Sequence, residues 1–181
     1  NHNSDAMELT MNLVRIDSTD PGAYEGEIGE FIFQYLKGLD VPVIKKEVLP
    51  GRFNVMARLE GEEQAPALVY ICHMDTVTTG EGWTVSPFGA EVIKGRIYGR
   101  GACDMKSGLA CALSAFTSMA LKARDGQKPK RTLVFIGTVD EEDFMRGAEA
   151  AIADGWVTKD CWVLDTEPTN GRKIGRASCR E

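Results

Sequence analysis

Two stretches, residues 67–72 and 132–139, run apolar almost without a break, and each stops directly before a group of ionisable residues. A strand with one wet face alternates apolar and polar residues. An unbroken apolar run of strand length belongs in a sheet covered on both faces, which requires helices on either side. The chain supplies them. Residues 24–39 place Ile28, Phe31, Ile32, Tyr35, Leu36 and Leu39 at spacings of three and four, and residues 105–122 do the same with Leu109, Leu113, Phe116, Met119 and Ala120. A shorter, less regular pattern at 7–16 and another at Arg146–Ala153 add two more helices. Alternating strands are expected at 41–49 and 53–59 around Pro50 and Gly51, with a hairpin of Glu91–Ile93 and Arg96–Tyr98 and a last short strand at 161–164. Helices alternating with apolar strands predict an α/β layered fold.

Composition narrows the functional classes. The 181 residues are 43% hydrophobic and 27% charged, enough for one domain with a core. A formal charge of −6 without a basic cluster predicts no nucleic-acid partner. No apolar run approaches the roughly 20 residues of a membrane span, so no membrane partner is expected. Five cysteines, Cys72, Cys103, Cys111, Cys161 and Cys179, form no CxxC pair and are odd in number. That pattern fits a reducing compartment and a cytoplasmic protein. Cys72 and Cys111 read as core residues, and Cys103 as packing near the acidic residue beside it.

The ionisable groups fall at element ends. His73 and Asp75 follow one buried run, Glu141 and Glu142 the other; Asp104 opens the helix at 105–122, and Asp165 and Glu167 follow the last strand. In an α/β sheet, groups beyond the carboxyl ends of neighbouring strands converge on one crevice. Singly, each has a plain structural explanation, and Asp104 could be the N-cap of its helix. Together, one imidazole and several carboxylates at a common edge repel one another unless a positive charge sits between them. Zinc, cobalt or manganese on mixed nitrogen and oxygen donors would supply it. Two metals about 3.5–4 Å apart activate a bridging water, and the neighbours Glu141 and Glu142, pointing opposite ways on an extended segment, would let one bind metal while the other faces that water. A nucleotide loop is excluded, because the segment from Gly99 to Asp104 lacks a third glycine and Met105 stands where a P-loop needs glycine before Lys106 and Ser107.

The motifs His73-Met74-Asp75-Thr76-Val77, Gly99-Arg100-Gly101-Ala102-Cys103-Asp104-Met105-Lys106, Asp140-Glu141-Glu142 and Glu167-Pro168-Thr169 occur in the order and approximate spacing of the M20 metallopeptidases. From about residue 7 to 170 the chain resembles that family, which includes acetylornithine deacetylase, succinyl-diaminopimelate desuccinylase, aminoacylases and glutamate carboxypeptidases. The resemblance implies part of a three-layer α/β/α zinc-peptidase-like catalytic domain, without the lid and dimerisation domain or the carboxyl-terminal metal-binding histidine. It also implies two divalent metal ions, zinc foremost, with cobalt or manganese as alternatives.

By motif, His73 resembles a ligand of one metal, and Asp75 the group that holds its ring. Asp104 resembles the bridging carboxylate, Glu142 a ligand of the second metal, and Glu141 the general base and acid. Glu167 resembles the remaining ligand on the His73 metal, with Asp165 as second choice. The implied reaction is hydrolysis of an amide bond in an N-acyl amino acid or short peptide by a two-metal-activated water. The implied parent is a homodimer through its lid domain. Cys72, where glycine is frequent, and Phe144, Met145 and Arg146, where small residues are common, depart from the family pattern.

Two other outcomes are open: a non-catalytic metal-binding or scaffolding relative on this fold, or an inactive truncated fragment whose sheet edge and apolar surface lack partners. The expected catalytic-domain portion is 7–172. Residues 173–181 show no apolar period and are expected to be a non-native tail, since one reverse translation of them resembles adapter read-through.

Overall fold

A computed structural model describes residues 5–169. The tail at 173–181 and the boundary at 172 lie outside the described residues. Among the described residues four α-helices are present: α1 (Ala6–Val14), α2 (Gly26–Lys37), α3 (Ser107–Arg124) and α4 (Arg146–Ala153). Seven strands accompany them: β1 (Val43–Leu49), β2 (Arg52–Leu59), β3 (Leu68–His73), β4 (Glu91–Ile93), β5 (Arg96–Tyr98), β6 (Leu133–Thr138) and β7 (Trp162–Asp165). Among the described residues no helix is long and apolar enough to cross a membrane.

Five strands form one mixed sheet in the order β1-β2-β6-β3-β7, and β4 and β5 make a separate hairpin. β3 runs parallel to both β6 and β7, whereas β2 is antiparallel to β6 and to β1. The two unbroken apolar runs are therefore adjacent strands near the middle of the sheet, and every residue of β6 is buried. Alternation along them feeds two cores. Val55, Ala57, Leu133 and Phe135 pack with α1, α2 and α3 on one face; Met56, Val69, Val134 and Ile136 pack with Ala151 of α4 on the other. Three layers result, with the thicker helical layer on the side of α3. Burying each large apolar side chain there contributes about 1.5–3 kcal/mol.

The edges differ. β1 is an exposed, lysine-bearing edge. At the other edge all four residues of β7 are exposed, including Trp162, Val163 and Leu164. Arg131 stacks its guanidinium over Trp162 at 4.7 Å. The cysteine expectations fare unevenly. Cys72 is buried, but Cys103 and Cys111 are exposed. Cys111 sits on the outer side of α3, where the inward positions are Leu109, Ala110, Leu113, Phe116 and Ala120.

Because β3, β6 and β7 run in one direction, their carboxyl ends lie side by side. His73 ends β3, Asp140 to Glu142 follow β6, and Asp165 ends β7. The fold itself gathers the acidic residues.

Candidate metal centre

His73 is buried, at 3% exposure, and both ring nitrogens are engaged. Nδ1 lies 2.9 Å from the carbonyl oxygen of Asp75 and 3.6 Å from its carboxylate. Asp75 therefore holds the ring chiefly through its backbone, with its charge close behind. The fully buried carboxylate of Asp75 accepts from the backbone N–H groups of Glu141 (3.2 Å) and Glu142 (2.9 Å), which ties the end of β3 to the turn after β6.

Nε2 of His73 faces the acidic residues. It lies 3.2 Å from Asp104, 3.4 Å from Glu167 and 3.7 Å from Glu141. Donor atoms of His73, Asp104 and Glu167 all fall within 4.8 Å of one another, and so do those of His73, Glu141 and Glu142. Both triads hold one imidazole nitrogen and two carboxylate oxygens, the mixed donor set that suits zinc and similar ions. Of the two acidic residues expected after β7, Glu167 reaches His73, while Asp165 pairs in register with Ile71.

Three sequence expectations need adjustment. Asp104 does not cap α3: Lys106 occupies the N-cap position and no side chain caps that end. Instead Asp104 lies in a wide turn, Ala102–Lys106, preceded by Gly101 at φ 78°. A Cβ at Gly101 would meet Thr76 at 2.5 Å, so glycine is required there on both counts. Lys106 then passes inward, fully buried, and donates to the carbonyl of Ile16 at 2.7 Å; burial lowers its pKa to about 8. Second, Glu141 and Glu142 do not point opposite ways. Asp140 takes φ 65° and opens a turn rather than an extended segment, so both carboxylates come round to His73. Third, Asp104 and Glu142 line a cavity of about 200 Å³ with Val77, Gly99, Arg100 and Cys103, so Cys103 faces open space beside the cluster instead of packing under it.

A third acidic triad, Asp20, Glu25 and Asp75, also brings donor atoms within 4.8 Å. Here the protein provides its own cation. Arg52 donates to both oxygens of Glu25 (2.6 and 2.5 Å) and to Asp20 (2.6 Å). Among the described residues no lysine or arginine pairs with Asp104, Glu141, Glu142 or Glu167. Among the described residues their charge is answered by His73.

Protonation energetics record the imbalance. Burial, with mutual repulsion, raises the pKa of Glu141, Glu142 and Asp165, and pushes Glu167 up to about 8. For His73, burial favours the neutral ring, but the hydrogen bond and charge of Asp75, with Glu167 and Glu141, win and raise it to about 10. Both shifts give metal-free stability the same sign. His73 binds its proton more tightly folded than unfolded, so its contribution is complete below about 6.5 and is lost as pH rises through about 10. The contribution of Glu167 is lost on the way up to about 8. The melting temperature of the metal-free chain should therefore fall from pH 6 to pH 8, above which the lowered pKa of buried Lys106 acts in the opposite sense, and scanning fluorimetry with and without zinc should find that slope flattened by the metal. A metal-free melting temperature that rises over this window would contradict the charge balance described.

Against known proteins, residues 69–175 match Peptidase family M20/M25/M40. Over 179 residues the chain is 33% identical to succinyl-diaminopimelate desuccinylase of Methylobacterium radiotolerans, covering 94% of this chain and 44% of that protein. Human carnosine dipeptidase 1 shares the fold at a TM-score of 0.71 and 18% identity, over 91% of this chain and 38% of its own. A Bacillus subtilis protein, described as a dinuclear metal-binding peptidase of the M20 family, aligns at a TM-score of 0.60 and 16% identity, over 88% of this chain and 41% of its own. The chain thus spans less than half the length of each of these relatives. With 69–175 of its 181 residues matched, and the order of acidic motifs carried on a common fold, the chain belongs to Peptidase family M20/M25/M40.

Proposed function

We propose that this chain forms the metal-binding half of a hydrolase that cleaves the amide bond of an N-acyl amino acid or a short peptide. One observation carries the reading: several carboxylates and a single imidazole converge without any other protein cation among the described residues. His73, Asp104 and Glu167 would hold one divalent ion through Nε2 and carboxylate oxygens. Glu142 would hold a second, with Asp104 shared between the two. Zinc is the ion that suits these donors best, and cobalt or manganese would substitute. When bound, such ions polarise a carbonyl and lower the pKa of water.

The remaining work belongs to this chain's own residues. Asp75 fixes the His73 ring so that Nε2 faces the acidic group. Burial holds Glu141 above the ordinary carboxylate range. Its half-buried carboxylate is then suited to take a proton from water and hand it to a leaving amine nitrogen. Residues 7–172 are read as the amino-terminal part of the catalytic domain.

The substrate class is proposed by analogy with relatives such as the desuccinylase of Methylobacterium radiotolerans. A protein that carries this chain at the relatives' full length should hydrolyse N-succinyl or N-acetyl amino acids or dipeptides. Chelation should abolish that activity and zinc should restore it. Hydrolysis that persists after exhaustive chelation, with metal content measured as zero, would refute the reading.

A further inference from the structure

β2 carries two polar residues that reach the chain segment after β6 from behind the site. Arg52 and Asn54 are two apart and so share a face of the strand. Asn54 donates to the carbonyl of Gly147 (2.7 Å) and accepts from the backbone N–H of Val139 (3.1 Å), pinning the start of α4 to the end of β6. The approach is close: a Cβ on Gly147 would meet Val139 at 2.3 Å.

Arg52 holds the turn itself. Its guanidinium, about nine-tenths buried, donates to both oxygens of Glu25, to Asp20, and approaches Asp140 at 3.3 Å. Glu25 in turn accepts the backbone N–H of Asp140 at 2.9 Å. Arg146 closes the far side, donating to both oxygens of Asp140 at 2.5 and 2.7 Å. Asp20 donates its backbone N–H to the carbonyl of Thr76, just beyond the His73 segment. One guanidinium thus joins the turn bearing Glu141 and Glu142 to the loop that braces His73 and Asp75. Only a planar fork reaches so many acceptors at once; an ammonium on a flexible stem does not.

We infer that Arg52 is a positioning residue for the metal centre: held by Glu25, Asp20 and Asp140, it fixes the turn after β6 against the end of β3 and so sets where the carboxylates of Glu141 and Glu142 stand. The inference rests on the proposed metal centre. Arg52 touches neither His73 nor any proposed ligand, so its effect passes through Asp140 and the backbone.

Cobalt(II) titration of this chain, followed by visible absorption, tests it. Arg52→Lys keeps the charge and loses the fork. Glu25→Gln keeps the shape but turns an amide donor towards a guanidinium donor or the Asp140 N–H. Each should weaken cobalt binding by about 10–100-fold, the range for groups that orient metal ligands, and shift the cobalt absorption bands. Leu36→Ala, fully buried in α2 and outside this network, serves as the stability control. It should lower the melting temperature while leaving cobalt affinity and bands as in the unaltered chain.

Unchanged affinity and bands in a folded Arg52→Lys or Glu25→Gln variant would overturn the inference. So would an equal loss in Leu36→Ala, or loss of cooperative unfolding in both network variants, either of which assigns Arg52 to the fold alone. If the unaltered chain binds no cobalt, the metal centre itself falls and the inference with it; if it binds and the network variants match it, only the inference falls.

Discussion

Replacing Glu141 by Gln, in a protein that carries this chain at its relatives' length, is expected to lower kcat by about 10²–10⁴-fold while metal content stays near normal. The amide is close in size to the carboxylate and keeps a hydrogen-bonding oxygen. What it loses is the capacity to accept and return a proton. Glu141 lies 3.7 Å from His73 Nε2, farther than Asp104 or Glu167, and its carboxylate is partly open to solvent. Burial also shifts its pKa upward, towards the range in which a base works near neutral pH. Steady-state kinetics alongside elemental analysis separates the possible results. Retained turnover would remove Glu141 from the chemistry, and lost metal would make it a ligand instead.

His73→Ala should weaken zinc binding by this chain by roughly 10²-fold or more. Structural zinc sites with four ligands bind with about 10–16 kcal/mol, so each ligand's share is on the order of 3 kcal/mol. Selectivity should change as well. Without the imidazole, every remaining donor in both triads is a carboxylate oxygen. Such a site suits magnesium or calcium better than zinc. Competition titrations with zinc and calcium read both effects. An unchanged preference for zinc would mean that the ion sits away from His73.

Most of the architecture is written locally. The unbroken apolar runs before His73 and Asp140 give the two central parallel strands, because only a sheet covered on both faces hides such runs. The three-and-four spacing of Ile28, Ile32 and Leu36 gives α2, and all three are fully buried. His73, Asp104, Glu141, Glu142 and Glu167 could be singled out because each stands at an element end, where a parallel sheet concentrates functional groups.

What stayed hidden depends on contacts between distant segments. Glu25 and Asp140 are 115 positions apart, and no periodicity in either neighbourhood marks their hydrogen bond. Arg52 opens a strand whose pattern reads as ordinary alternation, so its burial beneath the site has no local sign. Lys106 reads in the sequence as a failed P-loop lysine and as the end of the Gly99 to Lys106 motif, and neither reading marks it as the anchor of the Asp104 turn to Ile16. The turn at Glu141 and Glu142 has no local sign because Asp140 adopts a left-handed φ that non-glycine residues seldom take. A pattern of alternating directions holds only while the chain stays extended. Cys103 shows the same limit from the other side, since proximity in sequence to Asp104 left its exposure undetermined.

His73 and its neighbouring carboxylates are proposed to form a metal centre. Zinc-edge anomalous diffraction from crystals of this chain grown with zinc tests it most directly. A peak is predicted at about 2.0–2.2 Å from His73 Nε2, with oxygens of Asp104 and Glu167 at similar range. Absence of any peak there, or a peak at Asp20 and Glu25 in place of the Arg52 guanidinium, would contradict it.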